Sequence, residues 1–429
     1  MPRYYDSPMN TATASRAVQA VTSAGSTAAA VAHSVPLRQD ATVMGLVGLA
    51  HATSHFFHML LAPLFPVFIK EYGLSFSEVG LLATAFFVVS GLGQASAGFV
   101  VDRFGARPVL FAALCCFALA ALVVASGNGY GSLVLASMLA GVGNAPFHPV
   151  DFTILNQRVS PARLGYAYSA HGLTGNLGWA LAPVFFVGIT ALASWRAAYV
   201  AAALLALGVL ALLVFNRDKL RSEVIVHAPM ADGRKSSDLD FLKLPVVWWC
   251  FAFFLLSTMT LAVIQGFSSS ILKAMHGISF EAATAVVTAY MLCGALGMAV
   301  GGWVAVHHSG RSDRVVALSM TAGAVLLAIC ATGVLGAAGT MVAMAATGFA
   351  VGVGGPSRDM MIKKATPKGA TGRVYGAVYS GLDVGFALSP ILFGAFMDRG
   401  WYAATLAGAA LVLLLSVGAA LGVGKRTAQ

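Results

Sequence analysis

Apolar stretches long enough to cross a bilayer recur along the whole chain, separated by short polar interruptions, and no other feature limits its fold so tightly. A helix needs about 20 mostly apolar residues to span the hydrocarbon core, because it rises only about 1.5 Å per residue. Twelve stretches meet that length: 42–68, 78–101, 108–126, 130–156, 164–189, 193–215, 243–270, 280–306, 314–335, 338–362, 372–397 and 400–424. One long polar stretch, 216–242, falls between the sixth and seventh and carries NRDKLRSEV and DGRKSSDLD. The expectation is an all-α membrane protein, with twelve transmembrane helices in two six-helix pseudo-repeats around a central cavity. Its parts are a disordered cytoplasmic N-terminal tail (1–41), a first bundle (42–215), a cytoplasmic central loop (216–242), a second bundle (243–424) and a cytoplasmic C-terminal tail (425–429). Only 10% of the residues are charged, whereas a soluble domain carries about 25%.

Basic residues set the orientation. With the N-terminus inside, internal tails and loops hold 21 of the 26 Lys and Arg. External loops hold four: Lys70, Arg196, Lys273 and Arg399. The excess of inside charge predicts that both termini are cytoplasmic. The net charge of +10 then needs no nucleic acid, and no basic segment is interleaved with stacking aromatics. The five cysteines all sit in apolar runs without CxxC spacing, which predicts buried thiols and neither disulfides nor a metal centre.

The halves resemble each other. GYAYSAHGLTGNLGWALAP (165–183) aligns with GRVYGAVYSGLDVGFALSP (372–390), an offset of 207 that also pairs Pro149 with Pro356, Asn176 with Asp383 and Asp151 with Arg358. Parallel six-helix repeats are a transporter plan with the substrate site between the halves near the midplane.

GFVVDRFGARP (98–108), between spans two and three, resembles the loop motif of the major facilitator superfamily at Gly98, Asp102, Arg103, Gly105 and Arg107. Gly98 permits close helix packing, Asp102 can face a helix N-terminus, and Arg103 and Arg107 suit the interface. The resemblance implies that this cluster gates the protein by steadying an outward-facing state. Three further segments resemble the fosmidomycin-resistance group of drug exporters: HATSHFFHMLLAPLFPVFIKEYGLSFSEVGLLATAF from His51, FHPVD (147–151) and GLTGNLGWALAP (172–183). Such membership implies a monomeric transporter of the bacterial inner membrane, driven by the proton gradient without a cofactor, with spans one, four, seven and ten lining the cavity.

Three histidines stand out within span one. His51, His55 and His58 at i, i+4 and i+7 share one helix face, and a polar face should avoid lipid. His148 on span four lies at a similar depth to His51, with Asp151 and Arg358 about one turn lower on spans four and ten; His171, Asn176 and Asp383 are on spans five and eleven. The histidines could bond neighbouring helices, carry protons with Asp151, or share a metal ion, for which no fourth protein ligand is evident and no Cys or Glu accompanies them. Arg358 could clamp an anion, pair with Asp151, or reach the interface beside Lys363 and Lys364. Asp383 could carry a proton or bond a neighbouring backbone group or Ser389. The assignment is Arg358, His55, His58, Gln265 and Asn176 to substrate, and His51, His148, Asp151 and Asp383 to proton coupling, with no metal and no catalytic residue. Pro63, Pro66, Pro149, Pro183, Pro356 and Pro390 read as helix kinks.

The function expected is proton-coupled transport of a small anionic organic compound by alternating access, in the export direction. Uptake symport or exchange of an organic acid is the alternative, followed by a metal-dependent membrane enzyme or metal carrier. HExxH, GxSxG and P-loop patterns are absent from the sequence, which argues against hydrolytic and ATP-driven chemistry.

Overall fold

A computed structural model describes residues 36–74, 76–223, 239–367 and 370–427, and among them regular structure is helical throughout. Most of the expected N-terminal tail, the middle of the central loop and the last two residues lie outside this range.

The first span is broken. α1 (Leu37–His58) stops just before Met59, a 3-10 turn covers Ala62–Leu64, and α2 (Phe65–Tyr72) completes the crossing. A continuous helix over 42–68 was expected from its apolar content. Pro63 and Pro66 each lack a backbone donor and disfavour the α conformation in the residue before them, so the helix ends ahead of the pair. α2 closes on Gly73 at φ 65°, a left-handed cap that suits glycine.

The fourth span is also split, into α5 (Tyr130–Asn144) and α6 (Phe147–Arg158). The break lies at Ala145–Pro146, not at Pro149. Pro149 falls in the first turn of α6, where its missing N–H would have had no partner within the helix.

The other spans are single helices: α3 (Phe76–Phe104), α4 (Ala106–Ser126), α7 (Leu164–Leu192), α8 (Trp195–Phe215), α9 (Pro245–His276), α10 (Phe280–His307), α11 (Ser312–Ala331), α12 (Gly336–Ala365), α13 (Thr371–Asp398) and α14 (Tyr402–Thr427). Pro183 and Pro356 sit inside α7 and α12. α14 continues through Lys425 and Arg426, whose charges oppose the negative end of the helix dipole. Eleven of these spans are long and apolar enough to cross a membrane, counting α5 and α6 together. Span one makes twelve; its three histidines dilute its apolar character.

Each half packs its own six spans. α1 lies on α7 and α4 on α8 in the first half; α10 lies on α12 and α9 on α13 in the second. The halves meet where α3 crosses α13 and where α7 crosses α10, a pairing that the internal repeat interchanges. α6 also touches α13. Large apolar side chains such as Leu92, Val184, Leu204, Leu318 and Ile391 point outward and are exposed, as a lipid-facing surface requires. Inside, rings interlock: Phe57 stacks on Phe117 at 4.6 Å, and Phe117 on Phe147 at 5.4 Å, tying spans one, three and four together.

Candidate functional site

The histidine face of α1 turns toward α6 and α7. His51 lies against His171 of α7, ring centroids 3.5 Å apart, and 4.3 Å from His55. His55 continues to His58 at 4.9 Å and stacks on Trp179 at 4.2 Å. Asp151 of α6 sits beneath this column and is fully buried. One of its oxygens, Oδ2, is 3.1 Å from His51 Nδ1 and 3.0 Å from His171 Nε2. Asp151 therefore pairs with two imidazoles, and not with Arg358, its counterpart in the repeat. Gly175 makes this approach possible, because a Cβ there would lie 2.8 Å from His55 Nδ1 and 3.0 Å from His51 Nε2.

A second set of polar groups joins the halves. His148 Nδ1 donates to Gln94 Oε1 at 2.6 Å, and Gln94 Nε2 donates to Asp383 Oδ2 at 2.7 Å. Ser90 Oγ reaches the other oxygen of Asp383 at 3.3 Å and accepts from Asn144 Nδ2 at 2.8 Å. His58 Nε2 donates to Asn144 Oδ1 at 2.9 Å, and Trp179 Nε1 donates to His58 Nδ1 at 3.3 Å. Asp383 thus hangs from α13 and is held by two side chains of α3. Ser389 does not hold it; that hydroxyl donates to Met259 O.

Arg358 of α12 pairs with its own neighbour. Its Nε and Nη2 reach the two oxygens of Asp359 at 2.9 and 3.1 Å, and its guanidinium carbon sits 4.7 Å from the centre of the Phe254 ring. Tyr379 Oη donates to Asp359 at 2.7 Å and stacks on His148 at 4.2 Å. Of the five N–H donors of the guanidinium, Asp359 takes two.

A cavity opens beside this cluster. Asn176, Phe254, Tyr290, Met291, Met298 and Arg358 help to line it. It therefore collects two of the residues expected at the substrate, Arg358 and Asn176. His55, His58 and Gln265 are not in its wall. His55 and His58 face Trp179 and Asn144, because the packing of α1 on α7 turns their side of the helix into the first half. Gln265 lies 3.9 Å from the sulfur of Met291.

Where α3 ends, the halves close on each other. Gly98 lies against the start of α13, where a Cβ would be only 2.2 Å from the carbonyl oxygen of Gly372. Asp102 caps that helix start, accepting from Gly372 N at 3.1 Å, Arg373 N at 3.3 Å and Arg373 Nε at 2.9 Å. The carboxylate meets the positive end of the α13 dipole and a buried guanidinium together. Gly105 breaks the chain at φ 85° between α3 and α4. Arg103 is exposed, and Arg107 donates to Arg217 O at 3.3 Å.

Several residues of these networks were not singled out in the sequence: Ser90, Gln94, Asn144, Trp179 and Tyr379. Gln94 and Asn144 carried a readable signal, since each is an amide inside an otherwise apolar span.

A family model described as Major Facilitator Superfamily matches residues 47–311 and 255–428. A probable nitrate/nitrite transporter of Mycobacterium tuberculosis is 28% identical, over 79% of this chain and 85% of that protein. The fosmidomycin resistance protein of Escherichia coli is 26% identical, over 64% of this chain and 68% of its own. The crystal structure of the human organic anion transporter MFSD10 superposes with a TM-score of 0.74 at 16% identity, covering 90% of this chain and all of that one (100%).

Proposed function

The chain belongs to the Major Facilitator Superfamily, and from that membership we propose that it exports a small organic anion by alternating access, driven by protons. It is a multi-pass membrane transporter of a small molecule, not an enzyme. The finer reading rests chiefly on one observation: a cavity with aromatic and methionine walls has Arg358 in its lining. A guanidinium suits a carboxylate or phosphonate, and Asp359 leaves it donors to offer. An anion arriving there competes with Asp359 for Arg358, which ties substrate binding to the Asp359–Tyr379–His148 contacts.

Of the groups expected to carry protons, Asp383 suits the role best. It is buried, hangs from the second half and is bonded by Ser90 and Gln94 of the first. Adding or removing a proton there changes a bond between halves that must separate when the cavity opens to the other side. The excess of basic residues in alternate loops supports a bacterial inner-membrane protein with both termini in the cytoplasm. On that orientation the face closed by Gly98 and Asp102 is the cytoplasmic one. The E. coli relative supports export, since a transporter confers resistance by expulsion. Uptake symport or exchange is the second reading, because Arg358 serves an anion moving either way.

The test is a proton-flux assay on a monomeric preparation in liposomes with a pH dye inside. Nitrate, hexuronates and phosphonates are added one at a time. One anion should drive proton movement, Asp383→Asn should abolish the proton signal, and Arg358→Lys should weaken anion binding. Substrate movement without protons would overturn the coupling, and full transport by Arg358→Lys would overturn the anion clamp.

A further inference from the structure

We propose that His51, His55 and His148 form a binding site for one divalent transition-metal ion, zinc or a chemically similar metal. This goes beyond the transport reading and does not depend on it.

One nitrogen from each ring lies within 4.8 Å of the other two. Nitrogens around a zinc ion, at about 2.0–2.1 Å from the metal, stand roughly 3.4 Å apart. Side-chain rotation closes that difference. The backbone supplies the convergence. His51 and His55 are one turn apart on α1, and the break at Ala145–Pro146 starts α6 just ahead of His148. All three rings are buried, at 2%, 8% and 6% exposure.

Two further observations point to a ligand. First, neither ring nitrogen of His55 has a hydrogen-bond partner among the described residues. A buried imidazole with nothing to bond is costly unless something fills the gap. Second, His148 is already oriented: Gln94 accepts from its Nδ1, which leaves its Nε2 for an ion. Asp151 Oδ2 lies 3.1 Å from His51 Nδ1, close enough to take that hydrogen bond when the ring turns to a metal, although the nitrogen has no aligned partner among the described residues. Metal-bound histidines characteristically have their second nitrogen held by a carboxylate or carbonyl oxygen in this way. His51 Nε2 and His55 Nδ1 also both face Gly175, where a Cβ would intrude to within 3.0 and 2.8 Å of them.

The donor set selects the metal. Three neutral imidazoles suit zinc, copper, nickel or cobalt, whereas magnesium and calcium prefer oxygen ligands. Three protein ligands leave a coordination position open, as suits an ion that exchanges. The sequence grouped His51 and His55 with His58; the fold brings in His148 as the third ligand instead, from a helix almost a hundred residues further along.

The test uses the full chain, purified without an affinity tag and stripped with a chelator. After equilibration with Zn2+ and removal of free metal, one zinc per chain should remain. X-ray absorption of the wild type should show nitrogen neighbours at about 2.0–2.1 Å. His55→Ala and His148→Ala should each weaken binding by at least about 100-fold, while Asp151→Asn, acting through His51, should cost about 10- to 100-fold. The double variant His307→Ala/His308→Ala removes the exposed histidine pair at the end of α10 and should bind as the wild type does. Failure of the wild type to retain zinc, an oxygen-dominated shell, or binding that survives His55→Ala would overturn the proposal. The absorption measurement needs no variant, so it decides the matter even where a substitution prevents folding.

Discussion

Replacing Gly98 by alanine tests whether the contact between α3 and α13 holds one face of the protein shut. The added Cβ would stand 2.2 Å from Gly372 O and 2.5 Å from both Gly372 C and Arg373 Cα. These are backbone atoms, so no side-chain rotation relieves the clash; the helices must part. Overpacking of this kind costs about 1–3 kcal/mol. The cost falls only on the conformation in which α3 and α13 touch. At about 1.4 kcal/mol per tenfold change, the ratio of closed to open molecules should fall roughly 5- to 150-fold. Spin labels at Asp218→Cys and Gly310→Cys, both exposed, one just after α8 and one just after α10, report the separation. The background must lack Cys115, Cys116, Cys250, Cys293 and Cys330. Gly98→Ala should move the distance distribution toward the longer population. Gly80→Ala, on the same helix but with nothing within 4 Å of its Cβ, should leave it unchanged. An unaltered distribution in Gly98→Ala would refute the argument that this contact closes the face.

Asp102→Asn keeps the shape but removes the charge that meets Arg373, a loss of roughly 1–3 kcal/mol, and should open the same labelled pair without a steric clash. Asp40→Ala deletes the acceptor for Ser160 and for Arg163 Nη1 at 2.7 Å, and should lower the thermal midpoint in detergent; charged hydrogen bonds of this type are worth about 1.5–3 kcal/mol. Ser194→Ala removes the cap on α8, where Ser194 Oγ accepts from Ala197 N at 3.1 Å, and should cost about 1 kcal/mol by the same measurement. Arg358→Gln should weaken anion binding in calorimetry more than Asn176→Ala does, because only the first removes a charge from the cavity wall.

Twelve crossings were legible because the bilayer imposes a length on each apolar run, and a length is a property of local sequence. Helix breaks were less so. Six prolines drew attention as kinks, yet the break in span four fell at Pro146, which lies ahead of Pro149 and interrupts the backbone ladder first. Partners were the least legible. Periodicity showed that His51, His55 and His58 share a face, since that follows from helix geometry alone. It did not show what the face meets. The repeat suggested Asp151 with Arg358, whereas the fold pairs Asp151 with His51 and His171 and leaves Arg358 to Asp359.

The reason lies in what a membrane demands of a buried polar group. Lipid penalises an unbonded donor or acceptor wherever it sits, so each polar residue inside a span predicts a partner, but not which one. Choice among partners is made by helix packing, and here small residues decide it. With no hydrophobic drive between helices in lipid, close approach depends on glycine contacts. Gly175 and Gly178 bring α7 onto α1 at His51, Ala52 and His55, and Gly98 brings α3 onto α13. GLTGNLG on span five therefore specifies the surroundings of the span-one histidines as much as the histidines themselves do. It follows that Gly175→Ala should disturb His51 and His55 without replacing any polar group. Its signature would be altered histidine ring resonances in an NMR spectrum, with those of His307 and His308 unmoved. Unchanged resonances for the buried rings would mean that α1 and α7 have room to spare, and that packing does not set their arrangement.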